Sequence, residues 1–478
     1  MQTDATASWA DLLRGRNGAR SLALAGGTAL HATNVYLVTT IMPSVVEDIG
    51  GIAYYAMNTT VFIMASIIGA ALAGRLADQF GGKRVYLSAL ALFSLASVIC
   101  ATAPSMLTLI AGRAIQGLGG GVLVSMAYVL IRQVFPEHLW TRAMGLISAM
   151  WGIATLSGPA IGGVFAEYST WRYAFWSLLP IAFILAVIVS LWLPAGKKDR
   201  QLSSALPTSR LLLLTASMLS VSLAGIAGAP ALQAGLVIGG MLFLGWLIRV
   251  DRVHPVKLLP TGSYGPTRIR AIYLTMILLA LVSTVEVFIP FFLQSLHGHS
   301  PLKAGYLTSM MAGGWSLGSM LSSGFTGNAA KRVVRFGPVL MSLSLLSFSW
   351  VIQQPSGFDQ GLGFIFFLLN LLGIGMGIGT AWPHLLSYLL SSVPDHEGDL
   401  ASSSLSTVQM YAMSVGAALA GLIVNSAGVH LSEDTQTVRR AAFWLFFLFG
   451  ILVFFGLFSA RRAVRTSAPS PSMSASST

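Results

Sequence analysis

The sequence predicts an all-α membrane protein that crosses the bilayer many times. Of its 478 residues, 55% are hydrophobic and 9% are charged, and the mean hydropathy is +0.75. Apolar segments of about 17 to 28 residues recur along the chain, each long enough to cross a hydrocarbon layer of about 30 Å as a helix. They lack the alternating pattern of an outer-membrane barrel. Helices are therefore expected, because backbone polar groups in lipid must be paired within the segment.

The distribution of positive charge predicts the orientation of the chain. The sequence has 28 Lys and Arg and a formal net charge of +12. If the N-terminus is cytoplasmic, the basic residues of the outer loops are Arg172, Lys303, Arg439 and Arg440, and Arg113 lies inside a span. The other basic residues are then cytoplasmic. This positive-inside pattern indicates a bacterial inner-membrane protein with both termini in the cytoplasm, and it argues against a nucleic-acid partner.

Fourteen helices are predicted, arranged as six, two and six. In order, they cover residues 22–46, 55–76, 85–103, 106–134, 142–167, 173–193, 211–227, 232–248, 272–294, 301–327, 336–351, 361–390, 400–427 and 441–460. The predicted units are a loose cytoplasmic leader, a first bundle, a linker with two inserted helices, a second bundle and a disordered cytoplasmic tail, at 1–20, 21–194, 195–270, 271–462 and 463–478. The inserted segments contain no charged residue, so we expect them to face lipid.

A charged, glycine-bearing turn separates the second and third predicted helices. It contains Gly74, Asp78, Gly81, Lys83 and Arg84. Glycine permits a tight turn, and the basic pair suits a membrane boundary. The turn resembles the loop signature of the major facilitator superfamily at the same place. The resemblance implies two six-helix bundles around a central cavity, which rock to give alternating access, with this turn as a conformational hinge. An ordinary basic cytoplasmic turn is the alternative.

Two further stretches are similar to signatures of that superfamily. In the fourth predicted helix, Arg113 precedes Gln116 by one turn, and an arginine in lipid must face a cavity or an acceptor. Its expected role is to organise the cavity and couple proton or substrate charge, and the alternative is a tie to backbone carbonyls. In the fifth, Gly158 and Pro159 resemble the antiporter signature, although Ala154 replaces a usual glycine. They imply a hinge and proton-driven export, and close helix packing is the other interpretation.

Candidate proton-coupling residues are Glu286, Arg113, His31 and His384. Glu286 lies about 20 Å along the ninth predicted helix, at 1.5 Å per residue, where an isolated carboxyl group is neutral unless water reaches it. Fourteen-helix drug:proton antiporters, which the chain resembles, usually carry an aspartate in helix 1 where this sequence has Asn34. An amide carries no proton, so coupling is expected at Glu286, with the two histidines as further candidates. A structural acid and packing histidines are the alternatives.

Aromatic and amide side chains are the candidates for lining the cavity. They are Asn34, Gln116, Trp151, Trp315, Asn370, Trp382, Gln409 and Tyr411. Aromatic faces with scattered amides suit a flat, amphipathic organic molecule. Each of these side chains could instead serve only helix packing.

These features predict a monomeric, proton-coupled secondary transporter of a small amphipathic organic solute, most simply an exporter of drugs or metabolites. Uptake of a neutral aromatic nutrient, such as a riboflavin-like vitamin, is the alternative. A membrane-embedded lipid-processing protein is a remote third class, since the sequence shows no catalytic grouping. Its single cysteine and the loop acids near Asp395 and His396 do not suggest a metal site, and no cofactor is expected.

Overall fold

The computed structural model describes residues 8–194, 208–254, 257–355, 361–394, 397–431 and 434–465. Within these ranges the regular elements are helices, and 12 of the helical segments are long and apolar enough to cross a membrane. Two others, Thr208–Ala224 and Pro301–Ser322, occupy the seventh and tenth predicted positions. The all-α prediction is confirmed. The tail from residue 466, the linker 195–207 and the pair Asp395 and His396 lie outside the described residues.

The helices are numbered in chain order. They are α1 Trp9–Leu13, α2 Gly15–Ile49, α3 Tyr55–Phe80, α4 Gly82–Ala101, α5 Met106–Val134, α6 Trp140–Tyr168, α7 Trp171–Trp176, α8 Leu178–Trp192, α9 Thr208–Ala224, α10 Pro230–Val253, α11 Arg268–Ser283, α12 Ile289–His297, α13 Pro301–Ser322, α14 Gly327–Val351, α15 Leu362–Leu390, α16 Gly398–Ser426, α17 Thr435–Phe454 and α18 Gly456–Ala463. Short 3₁₀ segments cover Ile52–Tyr54, Glu137–Leu139 and Thr284–Val287.

The leader is helical where the structure describes it, which corrects the expectation of a loose segment. Helix α2 begins at Gly15, ahead of the predicted start at Leu22. Its polar first turns have partners: Arg20 donates to the carbonyl oxygen of Val134 at 3.3 Å, and Ser21 donates to that of Leu12 at 2.9 Å. The helix therefore extends beyond its apolar part.

The turn between α3 and α4 is as tight as its glycines predict. Gly81 has φ +86° and separates helices that end at Phe80 and begin at Gly82. The Lys83 ammonium group donates to the carbonyl oxygen of Ser190 on α8 at 2.5 Å, which ties the turn to the first bundle. Open space surrounds Gly74, so no neighbour requires a glycine there in this conformation.

The inserted hairpin, α9 and α10, does not face lipid with both helices as expected. Helix α10 does so, because only 11% of its apolar stretch is buried. Helix α9 packs between α10 and α16, because Ser217 donates to the carbonyl oxygen of Gly240 at 2.8 Å and its hydroxyl lies 2.8 Å from that of Tyr411. Near its other end, the amide of Asn425 donates to the carbonyl oxygen of Gly225 at 2.8 Å. The serines of α9 thus give it a protein-facing side.

A buried ion pair closes the base of this hairpin. Arg210 Nη1 lies 3.0 Å from Asp251 Oδ1, and the two side chains are 3% and 0% exposed. The Asp251 carboxylate also accepts the backbone N–H of Leu258 at 2.8 Å and the hydroxyl of Tyr264 at 2.6 Å. Burial, and then this bond to Asp251, raise the pKa of Tyr264, so the phenol remains a donor at physiological pH. The sequence predicts both charges in the loops that flank the hairpin, and the apolar pattern gives no sign of the pair.

Changing Asp251→Ala is expected to destabilise the protein by about 3–5 kcal/mol, because the Arg210 guanidinium stays buried without its carboxylate. The measurement is the thermal unfolding midpoint of purified protein in detergent. Asp48→Asn is the control, since Asp48 pairs with Arg172 at the surface, with side chains 47% and 32% exposed, and an amide oxygen can still accept the indole N–H of Trp171. Exposed pairs contribute about 1 kcal/mol or less. Equal midpoints for the two variants would show that the buried pair adds no more than a surface pair.

Candidate functional site

The ninth predicted helix is interrupted where its acid lies. Helix α11 ends at Ser283, a 3₁₀ segment covers Thr284–Val287, and α12 begins at Ile289. Pro290 explains the break, because it lacks an N–H and its ring would clash with the carbonyl of residue 286 in a continuous helix. Thr284 also donates to the carbonyl oxygen of Leu281 at 2.6 Å. A proline four residues after the acid is the sequence signal for this break, which the predicted continuous helix 272–294 does not include.

Glu286 lies on the second bundle and faces the first. Its side chain is partly exposed between the buried Val285 and Val287. The carboxyl group is within electrostatic range of the Tyr36 hydroxyl on α2, and that hydroxyl bonds to the Thr155 side chain on α6. Among the described residues, the structure shows no hydrogen bond or ion pair to the Glu286 carboxyl group. An unpaired acid therefore lies where the bundles meet, and sequence reasoning missed Tyr36 and Thr155.

The two bundles contact each other at the end of the molecule opposite the chain termini. Ser309 on α13 donates to the carbonyl oxygen of Thr155 at 2.9 Å. Asn425, near the end of α16, donates to the carbonyl oxygen of Ala53 at 2.8 Å. A Cβ on Gly305 would lie 2.6 Å from a methyl carbon of Thr40, so only glycine allows this approach. This conformation is closed at that end.

Gly158 and Pro159 lie in the middle of α6 against α2 and α13. A Cβ on Gly158 would lie 2.5 Å from that of Tyr36 and 2.9 Å from the backbone nitrogen of Leu37. Pro159 lies beside Gly305, at 3.0 Å from a Cβ built there. Close packing, the alternative interpretation of this stretch, is therefore present. A hinge role in the same place stays a prediction.

Arg113 is buried in the first bundle and held by neutral groups. Its side chain is 2% exposed, Nε donates to Asn58 Oδ1 at 3.1 Å, and Nη1 donates to Gln116 Oε1 at 2.6 Å. Gln116 in turn donates to the Ser97 hydroxyl at 2.8 Å, and the guanidinium carbon lies 3.9 Å from the centroid of the Phe62 ring. Within the described residues, no carboxylate lies within 4.0 Å of it. The network keeps a positive charge inside the bundle.

His31 and Asn34 lie one turn apart on α2 in the same bundle. His31 stacks on Phe62 with 5.2 Å between centroids, and Trp151 meets it edge-on at 6.1 Å. Asn34 is fully buried, and neither its amide nitrogen nor its oxygen has a hydrogen-bond partner among the residues that the structure describes. An unpaired buried amide costs about 1–3 kcal/mol for each group. His31, Trp151, Arg113 and Gln116 thus form one cluster, with Asn34 next to it.

The second bundle brings together three of the predicted residues on α13 and α15. The rings of Trp315 and Trp382 lie 5.6 Å apart. One turn of α15 holds both Trp382 and His384, and Nε2 of His384 lies 2.9 Å from the carbonyl oxygen of Ser322. This backbone contact agrees with the packing alternative for His384. The tryptophan pair remains available as an aromatic surface.

Two predicted cavity residues have other partners. The amide of Asn370 donates to the carbonyl oxygen of Phe366 in its own helix at 2.7 Å. The hydroxyl of Tyr411 bonds to that of Ser217, so Tyr411 faces the inserted hairpin. Hydropathy does not predict where this hairpin packs. Gln409, two residues before Tyr411 on α16, is half-buried. The described contacts therefore place Tyr411 at the α9 surface.

The family model for the Major Facilitator Superfamily matches residues 24–417. The chain belongs to this superfamily. A "Probable multidrug-efflux transporter" of Mycobacterium tuberculosis strain H37Rv is 38% identical over 434 residues, which cover 88% of this chain and 90% of that relative. The resemblance of the sequence to the superfamily is therefore confirmed.

Solved structures of other superfamily transporters share the fold. A bacterial homologue of the human lysosomal transporter Spinster has a TM-score of 0.67 at 15% identity, covering 94% of this chain and 98% of that one. The nucleoside transporter NupG has a TM-score of 0.66 at 12% identity, covering 92% of this chain and 99% of that one. These likenesses show the fold, and the family match identifies the chain as a membrane transporter and not an enzyme.

Proposed function

We propose that this superfamily member is a proton-coupled exporter of small amphipathic organic molecules. The observation that carries the proposal is Glu286, an acid in a helix break that has no ion partner among the described residues and lies within electrostatic range of Tyr36 on the other bundle. Export is the favoured direction because the relative from Mycobacterium tuberculosis is named as a multidrug-efflux transporter.

Coupling follows from water access to Glu286. When the bundles close around the carboxyl group, loss of hydration favours its neutral, protonated form. When they open, water reaches the group and the proton can leave. Arg113, His31 and His384 are the further candidates for this role. Alternating exposure of one acid would thus link proton movement to rocking of the bundles.

The same proposal includes the topology and the moving parts. We infer fourteen membrane crossings in a bacterial inner membrane, a monomer, and both termini in the cytoplasm, as the distribution of Lys and Arg indicates. The closed end of the structure would then face outward. The segment from Gly74 to Arg84, which covers the end of α3, the turn at Gly81 and the start of α4, would limit opening at the cytoplasmic end. Gly158 with Pro159 would let α6 slide on α2.

The binding surface favours a flat solute with little charge. Trp151, Trp315 and Trp382 supply aromatic faces, and Gln409 supplies an amide. Asn34 places a neutral amide where similar drug:proton antiporters have an acid, which weakens attraction for cations. This residue favours a second candidate function, uptake of a neutral aromatic nutrient such as a riboflavin-like vitamin.

Transport in vesicles of both orientations tests the proposal. For an exporter, inverted vesicles with an acidic lumen are expected to accumulate the substrate, and collapse of the pH gradient is expected to stop accumulation. The compound panel includes toxic cations, neutral aromatic drugs and flavin vitamins. Gradient-driven accumulation in right-side-out vesicles with acid outside would favour the uptake alternative. Substrate flux that does not depend on the pH gradient would contradict proton coupling.

A further inference from the structure

The loop between α10 and α11 forms a small basic pocket at the end of the molecule that holds the chain termini. This loop pocket has a volume of about 240 Å³, and its lining includes Arg252, Lys257, Thr261, Gly262, Tyr264 and Gly265. Nothing in the transport mechanism above uses it. Its volume is large enough for a tetrahedral oxyanion and part of an attached group.

Two cations belong to the lining. Arg252 is exposed, and its Nη2 donates to the carbonyl oxygen of Tyr264 at 2.9 Å, with the guanidinium carbon 5.5 Å from the centroid of the Tyr264 ring. Lys257 Nζ donates to Thr261 Oγ1 at 3.3 Å. These bonds orient both charged groups at the pocket. Arginine and lysine are the usual protein partners of phosphate.

The neighbouring acids leave a positive balance. Asp251 is fully buried, and its carboxylate is occupied by Arg210, Tyr264 and the backbone of Leu258. Glu397 is at the pocket rim, where it accepts the N–H of Thr261 at 2.8 Å and its hydroxyl at 2.5 Å. Among the side chains that the structure describes, the pocket therefore has two cations, Arg252 and Lys257, and one carboxylate that is not paired with Arg210.

The pocket is shaped by the loop itself. Gly262 has φ +92°, a conformation that favours glycine. Thr267 donates to the carbonyl oxygen of Gly262 at 2.5 Å, and Ser263 donates to that of Pro260 at 2.7 Å. Because these bonds and the Asp251 contacts hold the loop, the two cations are pre-positioned for an anion.

The pocket also adjoins the membrane surface. The pocket lies at the end of α10, whose apolar stretch is only 11% buried. Trp246 on that helix is 58% exposed. Tryptophan is enriched at the level of lipid headgroups. A lipid lying along α10 would bring its headgroup to the loop.

We propose that the loop pocket binds a phosphate group, presented by an anionic phospholipid or as free phosphate. Arg252 donates to phosphate oxygens with the N–H groups that face away from Tyr264, and Lys257 supplies the second charge. The apolar side of α10 distinguishes the two sources, because only a lipid gains from contact with it.

Native mass spectrometry of the full chain in detergent tests this proposal with three probes: phosphatidylglycerol, phosphatidylcholine and inorganic phosphate. We expect phosphatidylglycerol to bind at least tenfold more tightly than phosphatidylcholine. The double change Arg252→Gln with Lys257→Gln should weaken binding about tenfold or more, since two charge-assisted contacts are lost. Binding of inorganic phosphate with the same sensitivity would assign the site to free phosphate.

The control is Lys331→Gln with Arg332→Gln, the same charge change at the same end of the molecule on α14. This variant should bind phosphatidylglycerol within twofold of the unchanged protein. Lys257→Gln alone leaves the Asp251 contacts intact, so it reports on binding even if the double change disturbs folding. Equal binding by the control, the double variant and Lys257→Gln would overturn the proposal.

Discussion

Replacing Glu286 by glutamine is expected to reduce pH-driven transport at least tenfold while exchange of substrate across the membrane, without a gradient, continues. Glutamine keeps the size and hydrogen-bonding capacity of the side chain but carries no titratable proton. The surrounding packing with Val285, Val287 and Tyr36 should therefore persist. The measurement compares accumulation driven by an imposed pH gradient with counterflow in the same proteoliposomes.

The control for this experiment is Glu47→Gln, which removes the same charge from an exposed side chain near the end of α2. Its transport should match that of the unchanged protein. If Glu286→Gln retained full gradient-driven accumulation, the proton site would lie elsewhere. His31→Asn and His384→Asn would then be the next variants in the same assay, and His31 would come first because His384 already contacts the backbone of Ser322.

Hydropathy predicts the existence of the helices well, because the cost of unpaired backbone in lipid leaves few alternatives. Helix α5 has the predicted bounds, Met106–Val134, since Ser105 caps its start by accepting the N–H of Thr108 and the chain reaches Pro136 just after its end. The buried Arg113 was equally visible, since a charge inside an apolar run must find a polar site.

Contacts between helices were not predictable in the same way. Asn58 and Ser97, which complete the Arg113 network, lie on α3 and α4 among many similar polar residues. The docking of α9 beside Tyr411 depends on the angle at which the inserted hairpin packs, and apolar segments carry no information on that angle. The same limit applies to Arg210 and Asp251. Arg210 lies near the start of α9 and Asp251 near the end of α10, so their pairing depends on how the two helices pack.

Replacing Arg113 by glutamine is expected to lower both exchange and pH-driven transport at least tenfold. The change removes the buried charge of Arg113 and the two hydrogen bonds that its guanidinium group donates to Asn58 and Gln116. Each acceptor left unpaired in this buried site costs about 1–3 kcal/mol, so the thermal midpoint should also fall.

Arg113→Lys keeps the charge but cannot hold both amides with one planar group. If the charge matters for transport, lysine should restore transport activity more than it restores the thermal midpoint. Arg132→Gln changes an exposed residue on the same helix and should affect neither transport nor the thermal midpoint. Recovery of the midpoint without transport would assign Arg113 to geometry alone, and full activity of Arg113→Gln would contradict a functional role.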